Sequence, residues 1–161
     1  MLRLLALISG LAGGTALSQF PEFSQQYLQR LGGQADALAA VVAEFDASAE
    51  KAGLSREVAL SELPGSAFLD LRQEDMRRVI ARAERVSADY AFLKAAGPLE
   101  RLALPHRFRD NDTLSATWGD FRPAIPVTLD GLVAAGIGFL LGWGALLALA
   151  ALARMPLRRA A

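Results

Sequence analysis

The stretch that decides the fold reads GLVAAGIGFLLGWGALLALAALA and occupies residues 131–153. It contains no charged residue, and a helix of 23 residues is about 34 Å long, which is enough to cross a hydrocarbon core of about 30 Å. A helix that packs on the surface of a soluble domain keeps a polar face, whereas this stretch is apolar on every side. Residues 131–153 are therefore predicted to form a transmembrane helix, followed by a basic tail at residues 154–161.

A second uncharged stretch lies near the N-terminus, at residues 4–21. From Leu4 to Phe20 it spans about 25 Å as a helix, which is the lower limit for a membrane crossing. A cleaved signal peptide is an alternative, but the best cleavage context, at residues 15–17, places a bulky leucine where a small residue is preferred. The interpretation adopted is an uncleaved transmembrane anchor at residues 1–20.

The composition of the chain excludes several classes of protein. It has 161 residues, with 17 Lys and Arg against 17 Asp and Glu, and no cysteine. A nucleic-acid-binding protein is typically strongly basic, so no nucleic-acid partner is expected. Without cysteine there are no disulfides, thiolate metal sites or cysteine nucleophiles.

Charges near the ends of the two apolar stretches predict their orientation. Basic residues lie on the outer flanks and acidic residues on the inner flanks: Arg3, Arg154, Arg158 and Arg159 against Glu22 and Asp130. Because short cytoplasmic segments carry an excess of Lys and Arg, both termini are predicted to be cytoplasmic. The many Arg and Ala residues suggest a GC-rich bacterial genome, which would place the protein in the inner membrane and residues 21–130 in the periplasm.

The region between the apolar stretches is predicted to be helical. Residues 22–52 form one long predicted helix, and its apolar residues recur at alternating intervals of four and three: Leu31, Ala35, Leu38, Val42, Phe45, Ala49 and Ala52. This is the pattern of a seam between packed helices. Gly53 is expected to cap the helix, and the pair Gly32 and Gly33 predicts a kink or a break within it.

A second long helix is predicted at residues 67–96, after a connection with Ser55 as an N-cap and Pro64 as a breaker. Its seam has the same period: Met76, Val79, Ala83, Val86, Tyr90 and Leu93. Two matching seams joined by a short connection predict an antiparallel helical hairpin. The predicted fold is therefore all-α, with two transmembrane helices flanking a long extramembrane hairpin.

The rest of the central region has weaker patterns. A short helix is predicted at residues 99–104 and another at residues 113–121, with Asn111 or Asp112 as its N-cap. Residues 122–127 contain two prolines, which favours an extended approach to the second apolar stretch.

Candidate catalytic chemistry is sparse. His106 is the single histidine and would need a nucleophile, a metal or an orienting carboxylate beside it to act as a general base. Asp110 and Asp112 are close in sequence, but no metal-ligand spacing is present. His106 is interpreted as an exposed loop residue, and no catalytic residue, metal ligand, cofactor or small-molecule substrate is predicted.

Small residues recur at every fourth position in both apolar stretches: Gly10, Gly14 and Ser18 in the first, and Ala134, Gly138 and Gly142 in the second. Such a stripe lets helix backbones approach closely in lipid. These six residues are the predicted helix-packing interface, either between the two helices or with a partner. The other polar residues of the first stretch, Ser9 and Thr15, are expected to bond back to their own helix.

Three motifs carry a resemblance to a known family. SQFPEFSQQYLQRLGG at residues 18–33 follows the N-terminal apolar stretch, DMRR lies at residues 75–78, and TWGDFRPAIP lies at residues 117–126. Together they resemble an uncharacterised proteobacterial family of small two-span inner-membrane proteins, classed as a domain of unknown function. The resemblance supports the two-span bacterial interpretation and supplies no activity.

The expected function is that of a non-enzymatic accessory or scaffold subunit of an inner-membrane complex. The expected partners are the lipid bilayer and other integral membrane subunits. A self-associating envelope protein is the main alternative, and a membrane-anchored periplasmic enzyme relying on His106 is a remote one.

Overall fold

The computed structural model describes residues 1–153, which are mainly helical and contain no strand in that range. In chain order the α-helices are α1 (Leu2–Ser18), α2 (Phe20–Lys51), α3 (Arg56–Glu62), α4 (Ala67–Ala95), α5 (Asn111–Asp120) and α6 (Leu129–Ala153). Two short 3-10 helices, Glu100–Ala103 and Pro105–Arg107, connect α4 to α5. The predicted basic tail at residues 154–161, with Arg154, Arg158 and Arg159, lies outside the described residues.

Two helical segments are long and apolar enough to cross a membrane. One is the whole of α6, and the other is the apolar part of the helical run that begins at Leu2. The prediction of an all-α chain with two candidate membrane-spanning helices is therefore confirmed.

The chain divides into two compact units. The terminal unit comprises Met1–Gln25, Pro98–Ala103 and, among the described residues, 120–153, so it contains α1 and α6. The central unit comprises Gln26–Gly97 and Leu104–Gly119.

The core of the central unit brings together side chains from the two long helices. Its buried members are Tyr27, Leu28, Leu31 and Ala35 of α2 with Val86 and Leu93 of α4. Tyr27 stacks on Phe108, with ring centroids 4.7 Å apart. The predicted seams are buried or half-buried along both helices, except for Ala52, which is exposed because α2 ends at Lys51. The antiparallel hairpin itself stays a prediction.

Two of the predicted helix caps are observed, and a third is wrong. Gly53 has a φ of 73°, and the N–H of Leu54 donates to the carbonyl of Ala49 at 2.9 Å, as in a glycine-capped C-terminus. Ser55 caps α3 as predicted, accepting from the N–H of Val58. The predicted N-cap of α5 is wrong, because the carboxylate of Asp110 accepts the N–H of Thr113 at 3.1 Å.

Of the kink or break predicted at Gly32 and Gly33, the break is absent, since α2 is continuous from Phe20 to Lys51, and the kink stays a prediction. A Cβ on Gly32 would lie 2.9 Å from the ring of Tyr90, whereas a Cβ on Gly33 would meet nothing within 4 Å. Gly32 thus allows the ring on α4 to approach the backbone of α2. This contact offsets the helix cost of the glycine, which is about 1 kcal/mol.

Candidate helix-packing interface

Helices α1 and α6 pack against each other within the terminal unit. The residues that they bury are nearly all small: Ala6, Gly10, Gly14 and Ser18 from α1, and Gly131, Ala134 and Gly138 from α6. Of the six residues predicted from the stripes, five are therefore buried, and Gly142 is half-buried. Large apolar side chains such as Leu7 and Leu140 are exposed on the outer faces of the two helices.

The two backbones approach so closely that a single methyl group would not fit. A Cβ built on Gly13 would collide with the carbonyl oxygen of Gly138, and one built on Gly138 would collide with that of Gly13. A Cβ on Gly142 would collide with the carbonyl of Ser9 in the same way. The absence of side chains is thus what allows this contact.

An aromatic ring fills the space beside these contacts. A Cβ on Gly10 would lie 2.8 Å from the ring of Phe139, and one on Gly14 would lie 2.9 Å from the carbonyl oxygen of Ala135. The side chain of Phe139 on α6 therefore packs against Gly10 and Gly14 of α1.

A serine hydroxyl of α1 bonds across the interface to α6. The hydroxyl of Ser9 donates to the carbonyl oxygen of Gly142 at 2.8 Å. Thr15 bonds back to Leu11 in its own helix as expected, at 2.9 Å, so the prediction is correct for Thr15 and wrong for Ser9. The reason is that the close backbone approach brings a carbonyl of α6 within reach of the serine.

Sequence reasoning missed Ser9, Gly13 and Phe139 as members of the interface. Ser9 and Gly13 are four residues apart and form a second row, displaced by one position from the predicted row. That spacing was available in the sequence, and a helix face is wide enough for two adjacent rows. Phe139 carries no signal of this kind among the many large apolar residues of α6.

The central unit contains a buried carboxylate held by two arginines. Asp89 accepts from Arg107 Nη1 at 3.0 Å and from Arg109 Nε at 2.7 Å. The guanidinium of Arg107 also lies 4.1 Å from the centre of the Phe92 ring. The hydrogen bond to Asp89 raises the pKa of Arg109. This arrangement joins α4 to the segment that follows it and compensates a charge that is costly to bury.

A second carboxylate, Asp110, joins α4 to the start of α5. It accepts from Arg82 Nε at 3.0 Å and from the hydroxyl of Thr113 at 2.7 Å. The hydrogen bond from Arg82 and those from Thr113 lower the pKa of Asp110 to about 2. Arg82 also contacts Asp112 at 3.1 Å, so both acids near His106 in sequence are paired with this arginine.

His106 is exposed, in the 3-10 helix Pro105–Arg107. Within residues 1–153, no three His, Asp or Glu side chains are grouped so that they could hold a metal ion. The buried phenol of Tyr27 has its pKa raised to about 12 by desolvation, which makes it a poor proton donor.

The comparisons with known proteins concern the whole chain. A family model described as "Protein of unknown function (DUF2937)" matches residues 1–159. The chain belongs to the DUF2937 family. No curated protein and no solved structure matches it.

The DUF2937 match confirms the resemblance to an uncharacterised family, and it spans all three motifs on which that resemblance rested. The proteobacterial source and the inner membrane stay predictions. Because the function of the family is unknown, DUF2937 membership assigns no role to any residue of this chain.

Residues of two of the motifs form ion pairs or hydrogen bonds in this DUF2937 chain. In the DMRR motif, Arg78 forms ion pairs with Asp75 and Glu74 on α4, and Arg77 bonds Glu57 of α3 at 3.1 Å. In the TWGDFRPAIP motif, the buried hydroxyl of Thr117 donates to the carbonyl of Thr113 at 2.7 Å. The contact between Arg77 and Glu57 joins α4 to α3, and the other contacts lie within α4 or α5.

Proposed function

We propose that this DUF2937 protein is a non-enzymatic accessory or scaffold subunit of a bacterial inner-membrane complex. In this proposal α1 and α6 hold the chain in the membrane, both termini are cytoplasmic and the central unit is periplasmic. The positions of Arg3 in the first turn of α1 and of Glu22 and Asp130 on the inner flanks support that orientation.

The observation that carries the proposal is an exposed apolar surface at the start of α4. Phe68 is 69% exposed and Leu71 is 59% exposed, and Leu69 beside them is also exposed. Phe68 and Leu71 are three residues apart, so they lie on one face of the helix. We call Phe68, Leu69 and Leu71 the α4 patch. Grouped large apolar side chains on an extramembrane surface are typical of protein-binding sites.

The remaining polar clusters support a structural role. Asp89 is held by two arginines and Asp110 by one, and these ion pairs fix the side chains in place. A general base near neutral pH needs a raised carboxylate pKa, whereas that of Asp110 is lowered to about 2. A periplasmic enzyme relying on His106 therefore stays the remote alternative.

The packing of α1 on α6 also limits how a partner can bind. Gly13 and Gly138 face each other within the chain, so a partner helix would contact the outer faces, where Leu7 and Leu140 are exposed. The partner surfaces in this proposal are thus the outer faces of the two membrane helices and the α4 patch.

Native mass spectrometry of the protein, gently solubilised from its own membranes, tests the proposal. We expect a mass larger than one chain that includes a different protein, and we expect Phe68→Glu with Leu71→Glu to abolish it. The control is Ala81→Glu with Ala88→Glu, which adds the same charges at exposed positions of the same helix. Homo-oligomers would favour the self-associating alternative, and a monomeric wild-type protein would contradict both.

A further inference from the structure

The segment before α6 exposes three apolar side chains in an alternating pattern. Residues 123–129 read PAIPVTL and lie without charge between Arg122 and Asp130. Ile125 is 84% exposed, Val127 is 85% exposed and Leu129, where α6 begins, is 77% exposed. The pattern is continuous with the outer face of α6, where the large apolar side chains are also exposed.

A side-chain amide fixes this segment to the end of α1. The Nε2 of Gln19 donates to the carbonyl oxygen of Ala124 at 3.0 Å, and the N–H of Ala124 donates to Oε1 of Gln19 at 3.0 Å. Gln19 directly follows the last residue of α1, Ser18. Ala124 is therefore held at the level where α1 ends.

The antiparallel register of α1 and α6 gives the depth of that level. Ser9 contacts Gly142, and Gly13 contacts Gly138. Continuing this register along both helices brings Gln19 level with Leu132, in the first turn of α6. Ala124 thus lies beside the apolar part of α6.

Ile125 lies next to a groove that the two helices form. The groove has a volume of about 550 Å³, and its walls include Leu11 and Thr15 of α1, Ala135 and Phe139 of α6, and Ile125. The segment is therefore part of the membrane-facing surface of the terminal unit.

The backbone of the segment is suited to a water-poor environment. Lipid tolerates backbone polar groups only when they are bonded. Pro123 and Pro126 have no N–H, and the N–H and carbonyl of Ala124 both bond to Gln19. Three of the seven residues thus present no unbonded N–H to lipid.

We propose that residues 123–129 form an interfacial anchor, which lies at the boundary between lipid headgroups and acyl chains with Ile125 and Val127 in contact with lipid. Arg122 and Asp130 bracket the anchor and reach the headgroups. The partner is the bilayer itself, so the anchor requires no other protein and stands independently of the proposed accessory role.

Site-directed spin labelling tests this anchor, and the chain is suited to it because it has no cysteine. Single cysteines replace Ile125 or Val127 in the full chain, carry a nitroxide, and are studied in nanodiscs of phosphatidylethanolamine and phosphatidylglycerol. The references are Leu140→Cys on the outer face of α6 and Ala91→Cys on an exposed face of α4.

We expect the nitroxides at residues 125 and 127 to collide more with oxygen, and less with a water-soluble nickel chelate, than the one at Ala91, approaching the behaviour at Leu140. Collision behaviour like that at Ala91 would place the segment in water and overturn the proposal. Exclusion of both reagents would mean that protein covers the segment, and would overturn it as well.

A second measurement examines how the anchor is held. Gln19→Ala should increase the mobility of the nitroxide at residue 125, because both bonds to Ala124 are lost. Ser48→Ala is the control, since that exposed hydroxyl bonds the carbonyl of Glu44 within α2, away from the groove. Equal mobility in the two variants would refute the role of Gln19 in positioning the anchor.

Discussion

Replacement of Gly138 by alanine should weaken the packing of α1 on α6, whereas the same change at Gly136 should leave that packing intact. A Cβ on Gly138 would collide with the carbonyl of Gly13 and would lie 2.7 Å from the Cβ of Leu17, while one on Gly136 would meet nothing within 4 Å. Because ordinary carbon contacts are about 3.5–4.0 Å, the helices must move apart by about 1 Å.

The loss of packing free energy can be estimated from the van der Waals attraction between the two helices. An atom pair in contact contributes about 0.1–0.2 kcal/mol, and a gap of about 0.5–1 Å loses a quarter to a half of that. If the contact zone holds about as many atom pairs as one buried leucine, about 50, the loss is about 1–5 kcal/mol. Gly136→Ala should be neutral or slightly favourable, since alanine favours a helix over glycine by about 1 kcal/mol.

The assay is unfolding by SDS in bicelles, followed by the fluorescence of Trp143 on α6 in a Trp118→Phe background. We expect the free energy of unfolding to fall by about 1–5 kcal/mol for Gly138→Ala. A neutral Gly138→Ala, or an equal fall for Gly136→Ala, would refute the close packing of these two backbones.

Three further predictions concern the central unit, each measured as the free energy of unfolding from the helical circular dichroism of the full chain in mild detergent. Asp89→Ala should lower the free energy of unfolding by about 3–5 kcal/mol, because two arginines lose a buried partner. Glu84→Ala removes an exposed acid from the same helix and is the control. If Asp89→Ala had an effect as small as that of Glu84→Ala, the prediction would be contradicted. Gly33→Ala should raise the free energy of unfolding by up to about 1 kcal/mol, whereas Gly32→Ala should lower it. A gain in stability for both variants would mean that the ring of Tyr90 does not lie on Gly32. The pKa of Asp110 is about 2 when folded and about 3.9 when unfolded, so its ionised form contributes about 2–3 kcal/mol. That contribution is present above pH 4 and lost as the pH falls to 2. Asp110→Asn should remove this loss of stability in acid, and an unchanged pH profile would argue against the ion pair.

The helices themselves were largely readable from the sequence, because their signals are local. The helix predicted at residues 67–96 is observed at Ala67–Ala95, and the one predicted at residues 22–52 is observed at Phe20–Lys51. The length of an uncharged stretch, the period of its apolar residues and its capping residues can all be read within a few helical turns. In this chain these signals indicate the same helices. The break predicted at Gly32 failed because the contact with Tyr90 comes from a distant helix.

The polar clusters could not be read in the same way. Nothing in the sequence distinguishes Asp89 from the other acids of α4, or its partners Arg107 and Arg109 from the other arginines of the chain. Only the fold brings them within hydrogen-bond distance. The contact between Ser9 and Gly142 has the same character, since the residues are 133 positions apart.

The topology of the chain is tested most directly by fusing a reporter enzyme that is active only in the periplasm. We predict an active reporter after Ala96 and a silent one after Ala161, with both fusion proteins present in the membrane fraction. Silence after Ala96 with activity after Ala161 would reverse the orientation, and silence at both positions would contradict a chain that crosses the membrane.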